Sequence, residues 1–283
     1  MWDVILDALI DALKVFPFIF LVYLLIELIE EKLEKSNRKS FIAGKSAPVF
    51  AALLGIIPQC GFSVMAAKLY DKKMITTGTI LAVFLATSDE AVVILLTNGT
   101  KISSILPLLA IKLVFAVIVG MAANAVLKEK TAAFDDEECM CGHEEHAESK
   151  WRKYLLHPLG HAAVVFAYIL AVNLVFGTIV HFVGEDSFVA FISGSKAFQP
   201  LLTCLIGLIP NCASSVIITQ AYILGGISFG SCLAGLCVNA GLGYAVLLKD
   251  KSNLKRNLLL IGTTFVLSVA LGYATNLVVG LIA

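Results

Sequence analysis

Two short motifs place sulfur, amide and hydroxyl groups beside a proline. Gly55-Ile56-Ile57-Pro58-Gln59-Cys60-Gly61-Phe62-Ser63 returns 152 residues later as Gly207-Leu208-Ile209-Pro210-Asn211-Cys212-Ala213-Ser214-Ser215. Inside a helix, proline removes a backbone donor and clashes with the preceding turn. The break exposes carbonyls and a half-helix N-terminus, groups that hold ions. Gln59 and Asn211 add amides, and Ser63 and Ser215 add hydroxyls. Cys60 and Cys212 add one soft sulfur ligand each, of the kind that selects soft metals and thiophilic metalloids. The competing reading is that a cysteine in an apolar segment is a small buried hydrophobe. Duplication beside two prolines keeps the ligand reading level with it.

A second constellation is Thr87-Ser88-Asp89-Glu90, two carboxylates inside an apolar run. Charges in such a place are costly and usually functional. The second half aligns Asn239-Ala240-Gly241-Leu242 here, so the interruption is shared but the charge is not. At 1.5 Å per residue, Asp89 lies about 12 Å and Lys112 about 13 Å from the outer ends of their helices. Matching depth permits an ion pair, either as a structural tie or as part of a proton or cation relay. The segment Cys139-Met140-Cys141-Gly142-His143-Glu144-Glu145-His146 carries two thiols and two imidazoles, a metal-capture candidate without the spacing of a folded zinc finger. Acidic residues 135–138 before it suit a plain linker as well. Asp3, Asp7, Asp11 and Lys14 form one polar helical stripe, read as interfacial. His157 and His161 share a helix face, and packing at the interface accounts for them.

The elements that must position these groups are membrane helices. Of 283 residues, 59% are hydrophobic and 15% charged, against roughly 45–50% apolar in soluble domains. A helix spans the bilayer with about 20 apolar residues. Runs near 5–30, 74–97, 103–127, 157–183, 226–248 and 256–282 meet that length. Two more, near 46–70 and 197–223, are interrupted by Pro58 and Pro210. Zero formal net charge excludes a global field for nucleic acid. Cysteines spread through apolar segments argue against a disulfide framework. No basic n-region marks a cleavable signal. No Walker A, kinase or hydrolase motif is present, so no enzyme activity, ATPase or cofactor is expected.

Charge sets the orientation. Basic residues gather at 32–45, at Lys72-Lys73, at 128–153 and at 249–256, while the other connections carry at most one each. By the positive-inside rule the four basic loops are cytoplasmic. The 46–70 segment then enters and leaves from the cytoplasm, and 197–223 from outside. The expected fold is an all-α membrane protein with an inverted structural repeat. It has six full transmembrane helices plus two opposed Pro-broken re-entrant hairpins, and both termini outside. The first repeat is 1–127, a cytoplasmic acidic Cys/His loop is 128–156, and the second repeat is 157–283. From 55 to 96 the halves share 13 identities in 42 positions without a gap. The Pro, Gly, Cys and Ser matches among them exceed what shared apolar composition explains. Secondary transporters often have this plan, with the site between interrupted segments near the midplane.

With these motifs in hand, the chain resembles the ten-segment heavy-metal exporters related to the ArsP-type arsenic efflux permeases, some of which are labelled manganese transporters. The resemblance spans nearly the whole chain, and ten segments follow if each hairpin counts as two. It implies efflux of a trivalent arsenical or a heavy-metal cation, with Pro58, Cys60, Pro210 and Cys212 at the core by motif match. The better-known permeases carry a longer Cys-rich stretch beside the proline. One Cys per motif here leaves a three-thiolate site dependent on Cys204 or Cys237. The substrate reading is therefore a metalloid or metal ion, with Pro58, Gln59, Cys60, Ser63, Pro210, Asn211, Cys212 and Ser215 binding it. Thr87, Ser88, Asp89, Glu90, Lys112 and Asn239 would serve coupling. Two rivals remain: a hard divalent cation held by oxygen ligands, and a passive channel or metal-sensing membrane subunit. No nucleic-acid partner is expected, and the oligomeric state is open.

The orientation is testable by labelling single cysteines, Lys72→Cys and Gly225→Cys, with an impermeant thiol reagent in whole cells. The first is expected to be cytoplasmic and the second external. Finding both on one side would break the inverted arrangement.

Overall fold

The computed structural model describes residues 46–57, 60–87, 91–98, 102–127, 196–249 and 253–282, with isolated positions between 6 and 21, between 159 and 178, and at 194. All regular structure among them is helical. In chain order the helices are α1 (Ala47–Gly55), α2 (Cys60–Asp71), α3 (Thr77–Ala86), α4 (Ala91–Asn98), α5 (Ile105–Leu127), α6 (Gln199–Gly207), α7 (Cys212–Ile223), α8 (Phe229–Val238), α9 (Leu242–Lys249) and α10 (Leu254–Ile282). A 3₁₀ turn, Ile102–Ser104, precedes α5.

The lengths repeat in order. α1 and α6 have 9 residues, and α3 and α8 have 10. The local causes repeat too, at the same offset of 152. Pro48 and Pro200 stand in the first turns of α1 and α6, where proline's missing donor does no harm. Thr76 caps α3 by accepting from the Thr79 N–H, and Ser228 caps α8 by accepting from the Ser231 N–H. α2 and α7 end in one turn type: the Met74 N–H reaches Leu69 O at 2.8 Å, and the Gly226 N–H reaches Ala221 O at 2.9 Å. That turn needs a left-handed residue, supplied by Lys73 (φ 55°) in one half and Gly225 (φ 75°) in the other.

Each half packs α1 or α6 on the helix pair α3/α5 or α8/α10. Small residues set the spacing. A Cβ on Gly120 would lie 2.7 Å from the Gly78 carbonyl oxygen, and one on Gly272 would lie 3.0 Å from that of Gly230. The close approach lets Asn124 Oδ1 accept from the Gly78 N–H at 3.2 Å and Asn276 Oδ1 accept from the Gly230 N–H at 3.1 Å. Both N–H groups are first-turn orphans of their helices, satisfied here without water. Small residues with amide glue are how helices associate in lipid, where no hydrophobic drive exists between them.

The halves interlock through the remaining helices: α2 packs on α9, and α7 on α4. Gly243 of α9 sits against Ser63 of α2 and the ring of Phe84. Tyr244 meets Phe84 edge-on, with ring centres 5.3 Å apart.

Four stretches are long and apolar enough to cross a membrane: Thr77–Thr97 (α3 and α4, running across residues 88–90, which lie outside the described ones), Ile102–Leu127, Phe229–Lys249 (α8 and α9) and Leu254–Leu281. The first and third are 80% and 94% buried, the second and fourth 22% each. The buried pair is therefore central, and the other pair presents apolar faces outward, including Leu106, Ile118, Leu259, Val266 and Leu277. The two halves' earliest segments meet at Phe16 and Phe166, whose rings are 5.3 Å apart.

Gly120→Val should force α3 off α5. Overpacking costs about 1–3 kcal/mol even where side chains can yield, and here the neighbour is backbone. The expected outcome is a lowered Tm or loss of the monodisperse detergent-solubilised protein in thermal size-exclusion assays.

Candidate functional site

One cluster of buried polar groups sits where helices stop early. α6 ends at Gly207 and α7 begins at Cys212, with Pro210 in the bend between. Here Asn211 is the N-cap of α7: its Oδ1 accepts from the Ala213 N–H at 3.0 Å. The Ser214 hydroxyl donates back to the Asn211 carbonyl at 2.6 Å. α8 ends at Val238, and α9 begins at Leu242 after Gly241 turns the chain with φ 52°. Asn239 spans the two breaks. Its Nδ2 donates to Ser214 Oγ at 3.2 Å, and its Oδ1 accepts from the Gly241 N–H at 2.8 Å. Asn211, Ser214 and Asn239 are all buried. Two interruptions far apart in sequence thus form one hydrogen-bonded unit.

Freed carbonyls are capped by side chains. The Tyr244 hydroxyl donates to Val238 O at 2.7 Å. Lys112, fully buried on α5, donates through Nζ to Leu236 O at 2.6 Å and also to Thr87 O. Thr87 is the C-cap of α3, and its own hydroxyl returns to Val83 O at 2.8 Å. A lysine at the centre of a lipid-embedded helix costs about 2.5–3.5 kcal/mol. Charge-assisted bonds to helix-end carbonyls offset it, because the C-terminal end of a helix carries partial negative charge.

Of the residues singled out from sequence, Asn211, Ser215, Thr87, Lys112 and Asn239 are buried at these breaks, and Ser63 is buried on α2 against α9. Pro210 is half-buried in its bend. Cys60 and Cys212 open α2 and α7. Their side chains, and Pro58, Gln59, Ser88, Asp89, Glu90, Cys139, Cys141, His143 and His146, lie outside the described residues. The Lys112 ammonium has two carbonyl partners that depth matching did not foresee. Ser214 and Tyr244 were also missed. Ser214 stood in the motif beside Ser215, and its signal was adjacency to the Pro-Asn-Cys break. Cys204, Cys232 and Cys237 are buried thiols. Among the described residues no three His, Cys, Asp or Glu side chains gather to hold a metal ion.

Farther out, α2 and α7 are each clasped to the other half. Arg256, at the start of α10, stacks 3.8 Å over the Tyr70 ring and donates to Tyr70 O at 3.1 Å. The equivalent pair, 152 residues away on each side, is Ser104 with Tyr222, hydroxyl to hydroxyl at 2.8 Å.

Long apolar spans around buried, polar helix breaks define a multi-pass helical membrane protein. A family model described as "Putative, 10TM heavy-metal exporter" matches residues 1–182 and 154–280. The chain belongs to this family. No curated protein and no solved structure matches the chain.

Asn239→Ala should leave the Gly241 N–H unsatisfied and take a donor from Ser214. Orphaned buried groups cost about 1–3 kcal/mol each. A Tm several degrees below that of the parent is expected in detergent. Asn239→Asp, which keeps the acceptor for Gly241, should lose less. An unchanged Tm in the alanine variant would show that the two breaks are not coupled through this side chain.

Proposed function

We propose that the protein is a proton-coupled secondary exporter of a metalloid or heavy-metal ion, with a trivalent arsenical favoured. The observation that carries this reading is the joining of two interrupted helices, at 208–211 and 239–241, by the buried Asn211–Ser214–Asn239 bonds. Irregular backbone at membrane depth is tolerated where it is buried or lines a cavity, and in transporters it makes the substrate site. The repeated helix lengths and the crossed packing of α2 on α9 and α7 on α4 support two halves of inverted sense. In this reading 46–70 and 197–223 are re-entrant hairpins, and the basic loops and the Cys/His segment face the cytoplasm.

Cys60 and Cys212 bind the soft substrate, one thiolate from each half. Gln59, Asn211, Ser63 and Ser215 complete the site beside Pro58 and Pro210. Asp89 and Glu90, next to Thr87 and Ser88, take up and release the coupling proton. Cys139, Cys141, His143 and His146 deliver metal from the cytoplasm. The Tyr70–Arg256 and Tyr222–Ser104 clasps lie at opposite mouths and open alternately.

A second reading has its own observation. The described breaks present oxygen and amide groups, and the thiols Cys204, Cys232 and Cys237 form no three-ligand group. Oxygen ligands suit a hard divalent cation such as manganese.

A growth and uptake screen in a metal-sensitive bacterial host separates the two. It compares the parent, Cys60→Ser/Cys212→Ser and Asp89→Asn against trivalent arsenicals, cadmium, zinc and manganese. Protection from arsenicals or cadmium that disappears in the double Cys variant is the expected result. Protection from manganese alone, kept in that variant and lost in Asp89→Asn, would replace it with the hard-cation carrier. Flux without any gradient dependence in liposomes would identify a channel.

A further inference from the structure

Two helix C-termini, one from each half, meet at a single side chain. Thr87 O lies just past the last turn of α3, and Leu236 O lies in the last turn of α8. Neither helix continues, so neither carbonyl has the amide partner that an unbroken helix would supply. Both instead accept from Lys112 Nζ, the Leu236 bond being 2.6 Å. The ammonium is fully buried and reaches the two halves from a third helix, α5. The repeat does not demand a cation here: the position 152 residues on is Thr264, whose hydroxyl returns to Leu260 O on its own helix at 2.9 Å. Lys112 is thus an addition of the first half to an otherwise duplicated frame.

We propose that the Thr87 and Leu236 carbonyls are part of a monovalent-cation site that the chain fills with its own ammonium. Unwound carbonyls and helix C-terminal ends are the groups with which membrane transporters coordinate a free small cation. The partial negative charges of two helix ends favour any cation placed between them. A tethered cation occupies the site permanently, which makes the stability of the folded protein independent of Na⁺ and K⁺. Removal of the tether opens the site to a cation from solution. The proposal concerns the site and its occupant, and it stands apart from which substrate the protein exports.

The test is thermal unfolding of purified full-length protein in chloride salts of choline, Na⁺, K⁺ and methylammonium at equal ionic strength. The parent should melt at the same temperature in all four. Lys112→Ala should melt below the parent in choline. It should then recover by about 5 °C or more in at least one of the small cations, as a ligand that binds only the folded state requires. Lys112→Gln can still donate to a carbonyl but carries no charge. It serves where the alanine variant does not survive purification, and a smaller shift of the same selectivity is expected from it. Equal melting of the variants in all four media would overturn the proposal. So would a Lys112→Ala protein as stable in choline as the parent, or a parent that shows the same cation response as the variants.

Discussion

In a bilayer interior an unpartnered backbone carbonyl or amide has no water to turn to, and the architecture of this protein follows from meeting that demand at broken helices. α3, α6 and α8 all stop in buried surroundings. Each stop leaves carbonyls that must be met by side chains. Lys112, Tyr244 and Ser214 do so, and Asn239 links two of the breaks by donating to Ser214 Oγ and accepting from the Gly241 N–H. The breaks are thereby fixed in space by long-range bonds, and helices too short to span the membrane alone become part of one buried unit.

This unit sits within a frame of longer helices. The outer helices α5 and α10 provide it, held on α3 and α8 by glycine contacts and by the paired Asn124 and Asn276 amides. Their outward faces are apolar and exposed, as lipid contact requires. Inside the frame, α2 and α7 lean on the opposite half and are tied there by the Tyr70–Arg256 and Tyr222–Ser104 contacts. The outer helices also reach across: Lys112 of α5 bonds Leu236 O of the second half, and Arg256 of α10 bonds Tyr70 O of the first.

The polar chemistry at the breaks is uneven between halves, although the backbone is not. Lys112 answers to Thr264, and Asn239 to Thr87. A duplicated frame supplies two similar sets of helix ends, and substitution at a few positions then assigns them different tasks.

Much of this could be read from the residues in order. Apolar run length marked the spans, since the bilayer sets a minimum that composition alone reveals. Pro58 and Pro210 marked two breaks, because proline's effect on a helix is local. The 152-residue offset of the Gly-Pro-Cys-Ser motif reappears in helix lengths, caps and turns, all of which depend on nearest neighbours. Contacts between segments were not legible. Depth along a helix could not say which carbonyls lie beside Lys112, because azimuth and neighbour depend on packing. Ser214 differs from Ser215 only in the direction it faces. Tyr244 caps a carbonyl six residues back only because α9 turns away at Gly241. Sequence by itself marked the apolar runs that become α3 to α5 and α8 to α10 and the interruption at Pro210. Tertiary structure alone decided which interruptions meet, since a buried polar group takes whatever partner the packed neighbours bring within about 3 Å.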